Sequence, residues 1–184
     1  MILSRKVIGS QTKFFREGAA FTLTAPGGTV SRTAKPDITD PVWLDMGPIK
    51  WTEKPTGKSE EYAVAAPGKY VAEDEIELSV GLKLTGKLEK QSNFAYELTR
   101  AAQAAAAIPA SPTAMGQYNP LAGSAKTNGW LHIQGYDQNN TLIDTVEVYV
   151  SLKVSGDTNR DDKASETPVE ATVLFSTLNS GTGT

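Results

Sequence analysis

The sequence has no cysteine. That removes disulfides, thiolate metal sites and cysteine nucleophiles together, and it fits a reducing compartment. Histidine is almost as scarce, with His132 alone. Histidine-based triads and zinc sites therefore have little to build on. No stretch approaches the roughly 18 apolar residues of a membrane-spanning helix, so no membrane partner is expected. The opening "MILSRKVIGSQTKFF" holds no apolar run of signal-peptide length, and folding in a cytoplasm is expected. Phosphate-loop, dinucleotide-binding and nucleophile-elbow motifs are missing too. A net charge of -3 gives no general attraction to nucleic acid or anionic membrane.

The chemistry that is present is weak. "DTNRD" sets Asp157, Asn159 and Asp161 at alternating positions, like the start of a calcium loop. Such a loop then needs Gly and later Glu, but Asp162 and Pro168 stand there. A polar turn is the expectation. Glu60-Glu61 and Glu75/Glu77 are paired acids of the kind used in glycoside hydrolysis, but acids adjacent or alternating in a strand read as solvated. His132 alternates with Leu131 and Ile133 and reads as a solvated or interface strand residue. The expectation is no catalysis, no cofactor and no metal.

What the chain does have is strands. Its 184 residues suit one domain, 1–184, with a flexible polar tail at 179–184. "AAFTLTA" (19–25) reads as the first strand, ended by "PGG". "VWLDMGPIKWTE" (42–53) reads as one or two short strands broken at Gly47-Pro48. A loop from Thr56 to Asp74 follows. "WLHIQGY" and "TLIDTVEVYVSLKV" flank "DQNN", a hairpin by composition. "VEATVLFSTL" (169–178) closes the sheet. One helix is expected over Ser92–Ala107, capped by Ser92 and stopped by Pro109. Its narrow stripe of Phe94, Leu98 and alanines suits close packing on a sheet. A loop of about twenty residues, 108–129, is long enough to suggest a role. The predicted fold is mainly β: an antiparallel sandwich or barrel with one flanking α-helix.

"EIELSVGLKLTGKLE", Glu75 to Glu89, poses a problem of size. Its alternation is unbroken. At about 3.3 Å per residue it reaches roughly 50 Å, against a diameter of about 40 Å for a compact chain of this length. Its apolar face (Ile76, Leu78, Val80, Leu82, Leu84, Leu88) is worth about 9 to 18 kcal/mol if buried. It must bend at Gly81 or Gly86, or meet another copy of the chain.

The order of these elements resembles that of the tail tube (major tail) proteins of long-tailed bacteriophages. The pieces that carry the likeness are "VWLDMGPIKWTE", the glycine-containing loop before a long amphipathic strand, "NFAYELTRAA", and "GWLHIQGYDQNN" before a valine-rich strand. The resemblance implies hexameric rings whose sheets join around a lumen. The rings stack into a tube that conducts DNA from capsid to host cell, as a virion component assembled in host cytoplasm. Implied partners are other copies of the chain, a tape-measure protein, and tail-terminator or tip proteins, with DNA only in transit. Type VI secretion tube proteins share the implied fold. The alternative functions are a ligand- or sugar-binding β-sandwich, with Trp43, Trp51 and Trp130 as its platform if they face out, and a type VI secretion-like tube protein. Within the tube reading, Tyr62, Val64, Tyr70 and Val71 are candidates for an inter-ring loop. Glu75, Glu77, Lys83, Glu89 and Glu147 are candidates for the lumen wall.

Overall fold

The computed structural model describes residues 9–23, 28–66, 69–89, 94, 98, 126–156 and 166–183, with backbone alone described over 59–78. Among the described residues there are ten strands: β1 Gly9–Arg16, β2 Leu44–Gly47, β3 Thr52–Pro55, β4 Lys58–Ala66, β5 Lys69–Ser79, β6 Leu82–Leu88, β7 Lys126–Tyr136, β8 Leu142–Val154, β9 Thr167–Val173 and β10 Ser180–Gly183. Eight form one antiparallel sheet in the order β2-β1-β7-β8-β9-β6-β3, with β10 also on β8. Among the described strands, β4 and β5 pair only with each other.

The large sheet cannot lie flat. Six inter-strand steps of about 4.8 Å would separate β2 from β3 by roughly 29 Å. The chain from Gly47 to Thr52 reaches only about 18 Å when extended. The two end strands are thus drawn together by the segment 48–51. That segment is tied to β1, because Ser10 Oγ donates to the Ile49 carbonyl at 2.5 Å and Trp51 Nε1 donates to Thr12 Oγ1 at 3.0 Å. It also presses on β6, where a Cβ at Gly86 would lie 2.6 Å from Ile49 Cγ2. Gly86 is therefore a place of close approach.

Both faces of the sheet are covered. On the inner face Phe14, Met46, Leu84, Leu88, Leu131 and Val150 form one buried cluster. Phe94 and Leu98 are helical and belong to it, with Phe94 stacked on Phe14 at 5.2 Å. The rest of the helix expected at 92–107 lies outside the described residues. On the outer face Phe15, Trp130 and Tyr149 pack under Phe21 and Val30 from the segment 17–43. Asp40 pins that segment. Its carboxylate accepts bonds from Thr22 N–H, Thr22 Oγ1, Leu23 N–H and Val42 N–H at 2.8 to 3.3 Å. Burial pushes the Asp40 pKa up, but those four bonds outweigh it and hold the carboxyl below its ordinary range.

Several expectations need correction. The first described strand is "GSQTKFFR"; of the strand expected at 19–25, residues 19–23 are described, and there Ala20 makes only an isolated bridge to Thr29. Phe14 and Phe15 are adjacent and both fully buried, because each face of β1 is covered, and two-sided burial erases the alternation. The stretch 56–74 is strand for most of its length, not loop. The expected flexible tail forms β10, paired from Ser180 to Gly183 against Glu147 to Asp144. Backbone pairing of this kind needs no apolar side chain.

The long strand is two strands. Its alternation continues, but the chain leaves the large sheet at Val80-Gly81, and Val80 is 83% exposed. Pro55 stands opposite Leu82 and Lys58 opposite Ser79, so the β3–β6 ladder runs in the same register into β4–β5. The Thr56 N–H bonds the Gly81 carbonyl at 2.8 Å between them. A Cβ at Gly81 would lie 2.6 Å from Thr56 Oγ1, which is why glycine occupies this narrow root. On the other flank of β6, β9 runs only as far as Val173, and its last pair with β6 is Thr172 with Lys83. The ribbon outruns its neighbours. A strand longer than the compact body exists because half of it is not in the body.

Candidate functional site

The overhanging ribbon is an arm of about 30 Å, nine residues of β4 at roughly 3.3 Å each. Its composition is polarised along its length. Residues 58–79 carry six acids and two lysines, net -4, which exceeds the -3 of the whole chain. All six acids (Glu60, Glu61, Glu73, Asp74, Glu75, Glu77) lie in the half nearer the body. The outer half, Ala63–Ala66 with Lys69–Ala72, has Lys69 as its single charge.

The four residues expected to contact another ring are all on this arm. Val64 stands opposite Val71, and Ala65 opposite Tyr70, while Tyr62 stands opposite Asp74 beside an irregularity in the ladder. Glu75 stands opposite Glu61 and Glu77 opposite Ser59. Like charges directly opposed are unfavourable in an isolated ribbon.

The five lumen candidates do not come together. Glu75 and Glu77 are on the arm, Lys83 is on β6 and Glu89 just beyond its end, and Glu147 is on β8. Glu89 is exposed. Lys83 lies 3.2 Å from Glu170, which is also 3.2 Å from Lys153. Burial raises the Glu170 pKa, but the bonds from Lys153 and Lys83 bring it below the ordinary carboxylate range.

Glu147 is the most constrained of the five. Asp45, Lys13, His132, Glu147 and Ser180 stand in one cross-strand row over β2, β1, β7, β8 and β10. His132 Nδ1 lies 3.0 Å from Glu147 Oε1, and Lys35 pairs with Glu147 Oε2. The bond to His132 is the largest influence on Glu147. Burial opposes it, Lys35 reinforces it, and the carboxyl pKa is held at about 2. His132 is 2% exposed and lies against the Trp43 ring, so it is a core residue and not the solvated one expected. The turn alone does not disclose the pair, because the ladder that starts at Tyr136–Leu142 shifts by one residue between Gly135 and Tyr136, and only past that irregularity does 132 stand opposite 147.

Each tryptophan has its indole N–H committed within the chain: Trp43 to the Asp37 carbonyl, Trp51 to Thr12 Oγ1, and Trp130 to the Ser31 carbonyl. Trp130 is fully buried and the other two are half-buried. The "DTNRD" acids at 157 and 161 lie outside the described residues. The chain matches no protein-family model, and comparison with curated proteins returns no match.

Proposed function

We propose that this chain is the structural subunit of a phage-type tail tube, in which six copies close a ring and stacked rings conduct DNA from capsid to host cell. The observation that carries this reading is the arm. A ribbon that continues a sheet's ladder for about 30 Å past its neighbours has no partner among the described strands. An exposed two-stranded ribbon is marginally stable alone, and unpaired edges invite association. In a stack, the outer half, with Lys69 as its single charge, reaches the neighbouring ring and is covered there. The curled sheet, an incompletely closed barrel with its helix on the inner face, is the body of each subunit. Its end strands and the outer edge of β10 offer pairing sites from which neighbouring sheets join around the lumen.

A sugar-binding module is the weaker reading. It needs aromatic faces turned to solvent, and Trp130 is fully buried while Trp43 and Trp51 are half-buried. The arm supplies the test. Residues 60–77 are excised and Ser59 joined to Leu78 through two glycines. The variant should fold with an unchanged core and form no tubes. Normal tubes from the variant would overturn the assignment of the arm.

A further inference from the structure

Four of the five phenylalanines are buried, but Phe175 is 79% exposed. It sits on an excursion, 174–179, between β9 and β10, which share one edge of β8. The excursion is firmly held. Leu174 N–H donates to the Tyr149 carbonyl at 2.8 Å. The Asn179 side chain takes the place of the missing strand, accepting from Tyr149 N–H at 2.8 Å and donating to the Leu174 carbonyl at 3.0 Å. Ser176 Oγ donates to the Arg32 carbonyl at 2.7 Å and accepts from Leu178 N–H at 3.1 Å. An aromatic ring presented to water on a preorganised support has already met much of the ordering cost of binding.

A groove of about 340 Å³ opens elsewhere on the body. Its apolar walls are Ile49, Trp51, Ile133 and Val146, and Asp144 and Glu53 also line it. The last two with Lys50 leave it one negative charge in excess. Val146 lies on the inner face of β8 with Val148 and Val150. The excursion turns to the other face, where Leu174 packs on the Trp130–Tyr149 cluster. Knob and groove thus belong to opposite faces of the sheet, and a chain cannot fill its own groove. Arg32, exposed beside the knob, matches the groove's excess of carboxylate.

We propose that Phe175 of one copy seats in the Ile49–Trp51–Ile133–Val146 groove of a second copy, with Arg32 facing Asp144 and Glu53. The contact uses different surfaces on the two copies, so it is head-to-tail, and its repetition closes a ring or extends a filament. It takes from the reading above only that copies of the chain associate.

Because the chain has no cysteine, single-cysteine variants report the contact without background. Thr177→Cys, exposed beside the intact knob, and Lys50→Cys are mixed and treated with a short bismaleimide. The mixture should give a crosslinked dimer that neither variant gives alone. In sedimentation, Phe175→Ser and the groove-filling Val146→Trp should each weaken self-association at least roughly tenfold, the effect of losing one buried aromatic contact. Arg32→Glu should weaken it and Asp144→Arg in the same chain should restore it, which separates a lost contact from a lost fold. Unchanged association of Phe175→Ser, no crosslink in the mixture, or a wild-type chain that stays monomeric would overturn the proposal. Intact stacked rings from Phe175→Ser would defeat this contact and leave the tube reading standing. Phe175-dependent dimers or filaments that never stack into tubes would do the reverse.

Discussion

Replacing Glu147 with Gln removes the negative charge at the centre of the His132–Glu147–Lys35 cluster and keeps the shape. The carboxyl titrates at about 2 in the folded chain, against 4.5 ordinarily. At 1.36 kcal/mol per unit, the difference is worth about 3 kcal/mol. The side chain retains 20% exposure, so solvent screening brings the expectation to about 2 kcal/mol. His132 can still donate to the new amide oxygen, whereas Lys35 loses its counter-charge. The sign of the pH dependence follows from the depressed pKa. The folded chain binds this proton less readily than the unfolded chain does, so the stabilisation is complete above about pH 4.5. It declines as pH falls and is gone below about pH 2. Urea unfolding at pH 7 should therefore show Glu147→Gln less stable by about 2 kcal/mol. The gap between wild type and variant should narrow steadily below pH 4.5, since the variant cannot titrate at this position. A gap near zero at pH 7, or one that stays constant to the lowest pH at which both chains remain folded, would refute the reasoning.

Other substitutions test the break in the long strand and the covering segment. Leu84 and Val80 are both even positions of one alternating run, but Leu84 is fully buried and Val80 is exposed. Leu84→Ala should cost about 2–5 kcal/mol, and Val80→Ala should stay within about 0.5 kcal/mol of wild type; equal costs in denaturant unfolding would restore a continuous core strand. Asp40→Asn turns one of the acceptor oxygens facing Thr22, Leu23 and Val42 into a donor. It should lower the thermal midpoint and open 17–43 to limited proteolysis, and an unchanged midpoint with unchanged cleavage would contradict the clamp. The depressed Asp40 carboxyl also means that this stabilisation is present above the ordinary carboxylate range and is lost as pH falls below it.

What could be read from the sequence follows from where side chains alternate between water and core. The β7–β8 hairpin and the break between β2 and β3 were legible, because turn residues and valine-rich alternation sit together there. β1 was hidden because a strand covered on both faces does not alternate. The run from 75 to 89 was legible as strand. Its division was not, because alternation reports which way a side chain faces and says nothing about which sheet the chain has joined. The arm's first strand was read as loop because charges and small residues, with Pro67-Gly68 beyond, conceal a ribbon that lies outside the body. His132 was misplaced because a lone imidazole carries no sign of burial, and an irregularity between Gly135 and Tyr136 hides its pairing with Glu147 from a count that starts at the turn. The arm candidates Tyr62, Val64, Tyr70 and Val71 fell on the two paired strands of one ribbon.

Electron microscopy of the purified chain at tens of micromolar shows whether copies assemble as proposed. Rings with an open lumen that stack into tubes of uniform width are expected. Uniform small particles at that concentration, in low and in physiological salt, would contradict that assembly.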